Sequence, residues 1–324
     1  RGEGFERVML HASLALAYLA LGRVDDVWVE ARLANRLLEG EEELYEKKYK
    51  AGGLGHFVSA ITYELLDRPD EAYIDYRRMH EKGVGTELAG RALVRLAARL
   101  GYEDDLERWV ERYGPEPELP DGAATIVVVA GIGLGPFKEE ITLTIPTADG
   151  LLQWSVPTLM ARPQRVEAVR LETGAGFALR TSSIENVTVV TRENLEDRIA
   201  WLAAKSAVRA VLKRQLTKEL EQRYDLLGRI AGDIFTLATE RADLRSWNTL
   251  PHAWHAARAF VPAGAHDLSL AAVGGSTARL GRFELDPGET MFVFARTVGG
   301  RVYAHVVGGR PLGAETPGPA ALEP

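Results

Sequence analysis

The sequence predicts an α+β protein in which a helical repeat domain, residues 1–114, precedes a mixed β-rich domain, residues 123–307. Three observations predict this division. A helix-turn-helix pattern recurs in the first third of the chain. A segment rich in Pro and Gly, residues 115–122, follows this helical region and ends it. Beyond that linker the apolar residues alternate with a period of two, as they do in strands. Residues 308–324 are rich in Gly, Pro and Ala, and we expect a flexible tail there.

The first third of the chain repeats one motif, an apolar helix that ends in a small or acidic turn residue before a second helix. The turn residues are Gly22, Asp67 and Gly101, spaced by 45 and 34 residues. The second interval equals the length of a tetratricopeptide repeat, and the first carries an 11-residue insertion relative to it. Stacked helix pairs of this kind build a concave binding surface, so the pattern favours a binding or scaffolding protein over an enzyme.

The expected partner-binding surface follows from this repeat, because the first helix of each tetratricopeptide pair lines the concave face. Aligning the three copies predicts these partner-binding residues: Leu16, Leu19, Phe57, Ile61, Glu64, Arg91 and Arg95. Arg91 and Arg95 lie one helical turn apart and together offer bidentate donors to a carboxylate of a protein partner. The alternative is that both arginines only solvate an exposed helix face.

The β-rich domain contains predicted strands that are bounded by Gly, Pro, Ser or Thr. They cover residues 126–129, 141–145, 152–156, 165–171, 187–190, 254–261, 268–273 and 279–285, followed by a hairpin of 291–296 with 301–306 across Gly299 and Gly300. One long helix, residues 193–224, and one shorter helix, residues 229–239, interrupt these strands, because apolar residues recur there at helical spacing.

Composition and charge exclude several classes of protein. The chain of 324 residues is 46% hydrophobic and 26% charged, and no apolar run approaches the roughly 20 residues of a transmembrane helix. Because there is no Cys, disulfides and thiol chemistry are excluded. Residues 1–120 carry a net charge of -7 and residues 121–324 are neutral, so we expect no nucleic-acid partner. The helical charge ladder of Lys205, Arg209 and Lys213 is interpreted as solvated surface.

Two motifs suggest cofactor or metal sites at first sight. Gly131, Gly133 and Gly135 follow a strand as in a dinucleotide-binding loop, but the chain continues into another strand instead of a helix N-terminus. We interpret this segment as a strand connection. His252 and His255 point to opposite faces if they lie in a strand and share a face if they lie in a helix. We predict no metal site and no cofactor, since a metal needs three or four converging ligands.

Asp243, Arg245 and Trp247 bring polar and aromatic chemistry together in a predicted connection between helix and strand. The structural interpretation is a buried arginine-carboxylate bridge with Trp packing, which would pin the connection between helix and sheet. The alternative is that these residues bind a ligand or a partner chain. No motif of a serine hydrolase, a zinc protease or a paired-carboxylate enzyme occurs, so hydrolase chemistry has no support from the sequence.

The chain resembles a known protein family over roughly residues 5–306. The resemblance depends on four segments taken together: residues 11–22, 70–76, 135–138 and 242–251. The sequence resembles a family of bacterial envelope proteins with no assigned activity. Its members look like lipoproteins with a tetratricopeptide-like N-terminal half and a β-rich C-terminal half, often encoded beside curli-secretion-type or penicillin-binding-protein-activator-type lipoproteins.

The resemblance implies a periplasmic or outer-membrane-associated protein whose partner is another protein, with an envelope lipoprotein encoded nearby as the candidate. It also implies membrane anchoring by a lipidated N-terminus, for which this Cys-free sequence lacks the acylated residue. We therefore predict a non-enzymatic cell-envelope scaffold or assembly factor that binds a protein partner through its helical repeats. The alternative is a small-molecule binder or enzyme with a site in the C-terminal domain near Arg245 and Trp247.

Overall fold

The computed structural model describes residues 4–46, 49–119, 121–147, 150–174, 176–204 and 244–312. Within these ranges the chain is mixed α and β, with helices before the Pro-rich linker and mostly strands after it. The helices before the linker are α1 (Gly4–Ala20), α2 (Val24–Leu44), α3 (Gly53–Leu65), α4 (Pro69–Glu81), α5 (Thr86–Leu100) and α6 (Glu103–Tyr113). Short turns join α1 to α2, α3 to α4 and α5 to α6, and the members of each pair pack against each other.

The three predicted turn residues share one backbone geometry. Gly22, Asp67 and Gly101 all adopt the left-handed conformation, with φ of 68°, 55° and 71°. In each copy the residue after the turn residue donates its backbone N–H to the carbonyl oxygen five residues earlier. This hydrogen bond satisfies a carbonyl that has no partner within the helix. These donors and acceptors are Arg23 and Tyr18 (2.9 Å), Arg68 and Tyr63 (2.9 Å), and Tyr102 and Ala97 (3.0 Å).

The strands form two five-stranded sheets and a separate hairpin. They are β1 (Ala124–Ile132), β2 (Phe137–Thr147), β3 (Gly150–Met160), β4 (Val169–Thr173), β5 (Ala178–Arg180), β6 (Ser182–Glu185), β7 (Ala253–Val261), β8 (Gly264–Ala272), β9 (Thr277–Leu285), β10 (Thr290–Val298), β11 (Arg301–Val307) and β12 (Arg310–Pro311). The first sheet has the order β11-β10-β1-β7-β6 and the second the order β12-β9-β8-β4-β5, while β2 pairs with β3 alone. In the first sheet β1 is parallel to β10 and antiparallel to β7.

The first sheet lies between the helices and the second sheet. All nine residues of β1 are buried, because its two faces belong to two different cores. Val127 and Val129 pack into the core that the helices form, whereas Ile126 and Val128 pack into the core between the two sheets. The helical half and the β-rich half therefore share one core, and the β-rich half has a second core of its own between the two sheets.

The predicted strand at 187–190 is wrong, because these residues begin the helix α7 (Val187–Ala204). The run of Val and Thr favours a strand by propensity alone. Asn186, however, precedes the helix, and its side-chain Oδ1 accepts the N–H of Val189 at 3.0 Å, which is the contact of an N-cap. The remainder of the predicted long helix, the shorter helix at 229–239 and the charge ladder of three basic residues lie outside the described residues.

Two further boundaries differ from expectation. The strand predicted from residue 165 begins only at Val169, as β4. Part of the expected tail is also paired, since Arg310 and Pro311 of β12 lie opposite Glu284 and Phe283 of β9. The predicted hairpin across Gly299 and Gly300 is confirmed as β10 and β11.

None of the helices in the described ranges is long and apolar enough to cross a membrane.

Candidate functional site

The inner helix face, on which the repeat pattern placed a partner, is covered by the first sheet of the same chain. Leu19, Phe57 and Ile61 are buried in the core that also contains Val129 and Trp254 of that sheet. Leu16 is partly buried and packs against the same core. Side chains inside a core cannot line an open groove, so the prediction that these apolar residues form the partner surface is corrected.

A carboxylate at the end of β6 ties this sheet to the helices. Glu185 is buried and accepts the backbone N–H groups of Gly52 at 3.0 Å and Leu54 at 2.9 Å, at the N-terminus of α3. Burial raises the pKa of the Glu185 carboxyl group, and the two N–H groups oppose that rise. Gly53 lies between them, so close to the carbonyl of Ile184 that a Cβ there would lie 1.8 Å from its oxygen.

Glu64 and Arg95, also predicted to contact a partner, bond to each other and to the sheet. Arg95 donates to Oε2 of Glu64 at 2.8 Å, and Arg258 of β7 donates to Oε1 at 2.6 Å. The hydroxyl of Tyr76 donates to the same carboxylate at 2.9 Å. Burial by itself raises the pKa of a carboxyl group, but the guanidiniums of Arg258 and Arg95 outweigh it and lower the pKa of Glu64 from 4.5 to about 2.

Arg91 is not part of this cluster. It is exposed and pairs with Glu87 one turn earlier on α5, at 2.8 Å. The two arginines that the sequence grouped together therefore have different surroundings, and for Arg91 the structure matches the alternative of a solvated helix face. Arg95 does hold a carboxylate, but that carboxylate belongs to its own chain.

An open cleft lies on the other side of the helical layer, between α2 and α4 and above α3. We name it the outer cleft, and its volume is about 400 Å³. Its walls are formed by Arg32, Asn35 and Arg36 of α2 and by Ile74, Asp75 and Arg78 of α4. The 21-residue α2 is the longest of the six helices before the linker, and it provides one whole wall.

Two residues that line the outer cleft, Asn35 and Asp75, belong to a buried polar network. His56 Nδ1 lies 2.9 Å from Asp75 Oδ1 and 3.1 Å from Asn35 Nδ2, and all three side chains are buried. Asn35 Oδ1 is also buried and has no hydrogen-bond partner among the described residues. Tyr63 accepts a hydrogen bond from Trp28, which holds the α2 wall against α3.

The arginines of the outer cleft have donors that the protein itself does not use fully. The guanidinium of Arg32 stacks 4.6 Å above the ring of Trp28, and Arg36 makes no ion pair within the described ranges. Arg78 is 3.9 Å from Asp75, a carboxylate that already bonds to His56. Ile74, 42% exposed, lies among them. The outer cleft thus offers guanidinium donors beside an exposed apolar side chain.

The segment around Arg245 and Trp247 is placed differently from its prediction. Arg245 is exposed, which is incompatible with a buried arginine-carboxylate bridge, and Asp243 lies outside the described residues. The backbone N–H of Trp247 donates to Glu6 at 2.7 Å and its indole N–H donates to Thr249 at 2.8 Å. The Trp ring packs against the helical core, so the packing part of the structural interpretation agrees with the structure.

The glycine-rich segment after β1 connects two strands, as its sequence context predicted. Arg296 donates to the carbonyls of Gly131 and Gly133, and the N–H of Gly135 donates to Leu250 at 2.8 Å. The segment leads into β2, so no helix N-terminus faces it. The carbonyl oxygens of Gly131 and Gly133 therefore already accept hydrogen bonds from Arg296.

The two neighbouring histidines have separate environments. His252 precedes β7 and its Nδ1 lies 2.7 Å from the hydroxyl of Thr188, whereas His255 lies within the strand. Burial, helped by the nearby His252, lowers the pKa of His255 from 6.5 to about 4, so its ring is neutral at physiological pH. Among the residues with described positions, no three His, Asp or Glu side chains converge as metal ligands would.

The sequence did not single out the outer cleft or Arg258. Arg32 and Arg36 are one turn apart on α2, a spacing that ordinary solvated helix faces share, so no local signal separates them. A single Arg in a strand that is otherwise mostly apolar, as in β7, is a stronger signal, because a charge there needs a buried partner.

Comparison of the chain with family models, with curated proteins and with solved structures finds no match.

Proposed function

We propose that the protein is a non-enzymatic scaffold or assembly factor of the bacterial cell envelope that binds an acidic segment of a protein partner in the outer cleft. One observation carries this proposal. Arg32, Arg36 and Arg78 line an open cleft of about 400 Å³ and none has a carboxylate of the described residues within 3.5 Å. Arginine clusters of this kind recognise acidic motifs, because guanidinium groups bind carboxylates with two parallel hydrogen bonds.

The charge of the outer cleft supports an anionic occupant. Its lining contains three arginines and three carboxylates, but Glu71 pairs with Arg68 and Asp75 bonds to His56. Because Glu71 has its own partner in Arg68, three arginines face two remaining carboxylates, Glu39 and Asp75, and the lining keeps a net positive charge that attracts an incoming carboxylate. The exposed Ile74 adds an apolar contact of the kind that central interface positions use.

The helical repeats and the family resemblance support the remaining parts of the proposal. Three copies of one helix-turn motif, of which the second and third are 34 residues apart, favour a tetratricopeptide-like scaffold. With the inner face occupied by the first sheet, the partner site moves to the outer face of the helices. The resemblance supplies the periplasmic or outer-membrane setting and the candidate partner, an envelope lipoprotein encoded nearby. The alternative site near Arg245 and Trp247 has less support, because the Trp247 donors bond within the chain.

A pair of adjacent arginines tests this proposal. Arg77 and Arg78 are neighbours on α4 and both side chains are 49% exposed, but only Arg78 lines the outer cleft. The parent protein and the variants Arg78→Ala and Arg77→Ala are used to capture proteins from solubilised bacterial envelope, which are identified by mass spectrometry. The acidic segment of a captured partner is then made as a peptide and titrated against all three proteins.

We expect Arg78→Ala to weaken peptide binding by roughly 10- to 100-fold, the value of one or two charge-assisted hydrogen bonds. Arg77→Ala is expected to bind within about twofold of the parent protein, since its exposed pair with Glu81 contributes little. Binding to the parent should also weaken as the salt concentration rises. Equal binding by both variants, or a partner that contacts only the β-rich half, would show that the outer cleft is not the site.

A further inference from the structure

A second pocket lies where the helical layer meets the first sheet. We name it the junction pocket, and its volume is about 250 Å³. Its helical side includes Glu64 of α3 with Arg95 and Arg99 of α5, and its sheet side includes Arg258 and Phe260 of β7 with Thr125 of β1. The helical repeats and the β-rich half thus each contribute one wall.

The junction pocket has more positive than negative charge. Three arginines line it and one carboxylate, Glu64, is shared between Arg95 and Arg258. The Nε of Arg258 is buried and has no hydrogen-bond partner among the described residues. Arg99 stands at the rim, half exposed, with only the highly exposed Asp67 as its ion-pair partner. Water screens that exposed pair, so Arg99 remains available to another anion.

The floor of the junction pocket adds hydroxyl groups and an aromatic ring. Thr125 lies opposite Phe260 in the pairing of β1 with β7 and opposite Thr290 in the pairing of β1 with β10, so the three residues form one row across the sheet. Neither threonine hydroxyl has a hydrogen-bond partner in the part of the chain that the structure describes. Phe260 lies under both guanidiniums, 5.3 Å from that of Arg95 and 4.9 Å from that of Arg258.

We propose that the junction pocket binds a small molecule through an oxyanion group, a carboxylate or a phosphate, held by Arg95, Arg99 and the hydroxyls of Thr125 and Thr290. Guanidinium and hydroxyl donors are the groups that bind such oxyanions in proteins. The volume of about 250 Å³ suits a small ligand rather than a peptide. This site is separate from the outer cleft, and the proposal does not rest on the partner proposed for that cleft.

The test uses inorganic phosphate and succinate as probes, with the ionic strength held constant by sodium chloride. Binding is measured by calorimetric titration and by the rise in melting temperature of the full chain. Arg99→Ala removes the rim donor, while Arg91→Ala serves as its control on the same helix. Arg91 and Arg99 are similarly exposed, 55% and 50%, and each has one exposed carboxylate partner, but Arg91 does not line the pocket.

We expect saturable binding of at least one probe at millimolar concentration, weakened about tenfold or more in Arg99→Ala and within twofold of the parent in Arg91→Ala. Preference for phosphate or for succinate identifies which oxyanion the pocket takes. Thr125→Val, nearly the same shape, should lower the affinity several-fold while leaving the melting temperature of the free protein unchanged within about 2 °C. Absence of saturable binding by both probes, or equal weakening in both arginine variants, overturns the proposal.

Discussion

At the scale of single residues, the ionisation of Glu64 makes the stability of the junction depend on pH. Because its pKa is lower in the folded protein, about 2 against 4.5, the carboxylate stabilises the fold fully above pH 4.5. That contribution is lost as the pH falls from 4.5 towards 2. The lowering corresponds to about 3 kcal/mol of unfolding free energy at neutral pH, for a side chain that is 12% exposed.

We therefore expect Glu64→Gln to be about 3 kcal/mol less stable than the parent at pH 7, with the difference shrinking towards zero near pH 2. Urea unfolding at several pH values measures this. The matched control is Glu87→Gln, which removes a 62% exposed carboxylate from the same helical layer and should change stability by less than about 1 kcal/mol at every pH. A difference for Glu64→Gln that does not vary with pH would contradict the ion-pair account.

The residues of this cluster show what a sequence can and cannot predict. The chemistry of Arg95 was predictable, since a guanidinium on a helix of this pattern favours a carboxylate partner. The identity of that carboxylate was not, because Glu64 is 31 residues away and Arg258, which shares it, is 194 residues from Glu64. Neither separation leaves a periodic signal in the sequence.

At the scale of secondary-structure elements, the contact between α3 and β6 depends on a glycine. A Cβ at Gly53 would lie 1.8 Å from the carbonyl oxygen of Ile184, which is backbone and cannot rotate away. We expect Gly53→Ala to destabilise the protein by at least about 2 kcal/mol, because α3 and β6 must separate to admit it. Thermal or urea unfolding measures the change.

Gly40 provides the control for this substitution. It lies within α2, and a Cβ there would meet nothing within 4 Å. Gly40→Ala should stabilise the protein by about 0.5 to 1 kcal/mol, since Ala loses less backbone entropy in a helix than Gly. If Gly53→Ala proved as stable as Gly40→Ala, α3 and β6 would not be in the close contact described.

Elements with local signals were predictable, and those decided by distant contacts were not. The turns at Gly22 and Gly101 were visible because Gly readily adopts the left-handed backbone that ends a helix. Residues 187–190 read as a strand because Val and Thr favour strands. The cap at Asn186 was the local signal for α7, and the burial of Val187 and Val190 in the helical core explains why a β-branched run is stable there as helix.

At the scale of the whole molecule, the sequence predicted helices before the linker and mostly strands after it, but not the core that the two halves share. Residues 126–129 are all apolar and do not alternate with polar residues, as they would in a strand with one solvent-exposed face. This pattern was a signal that both faces of the strand are buried. Because the covering layers are distant in sequence, that signal did not say what covers each face. The linker at 115–122 predicted two halves that each keep a core; the β-rich half has one between its two sheets, but the core of the helices also contains residues of the first sheet.

The shared core makes a prediction about the cleaved protein. Most of the described linker residues are exposed, so a specific protease site placed between Gly114 and Gly122 should be cut in the native state. The helical layer buries Phe57 and Ile61 against the first sheet, so separation of the halves would expose a large apolar surface. We expect the cut halves to co-elute in gel filtration and to unfold in a single calorimetric transition, and we expect the same single transition for the uncut chain. Two peaks that are each folded, with separate transitions, would show instead that the halves have independent cores.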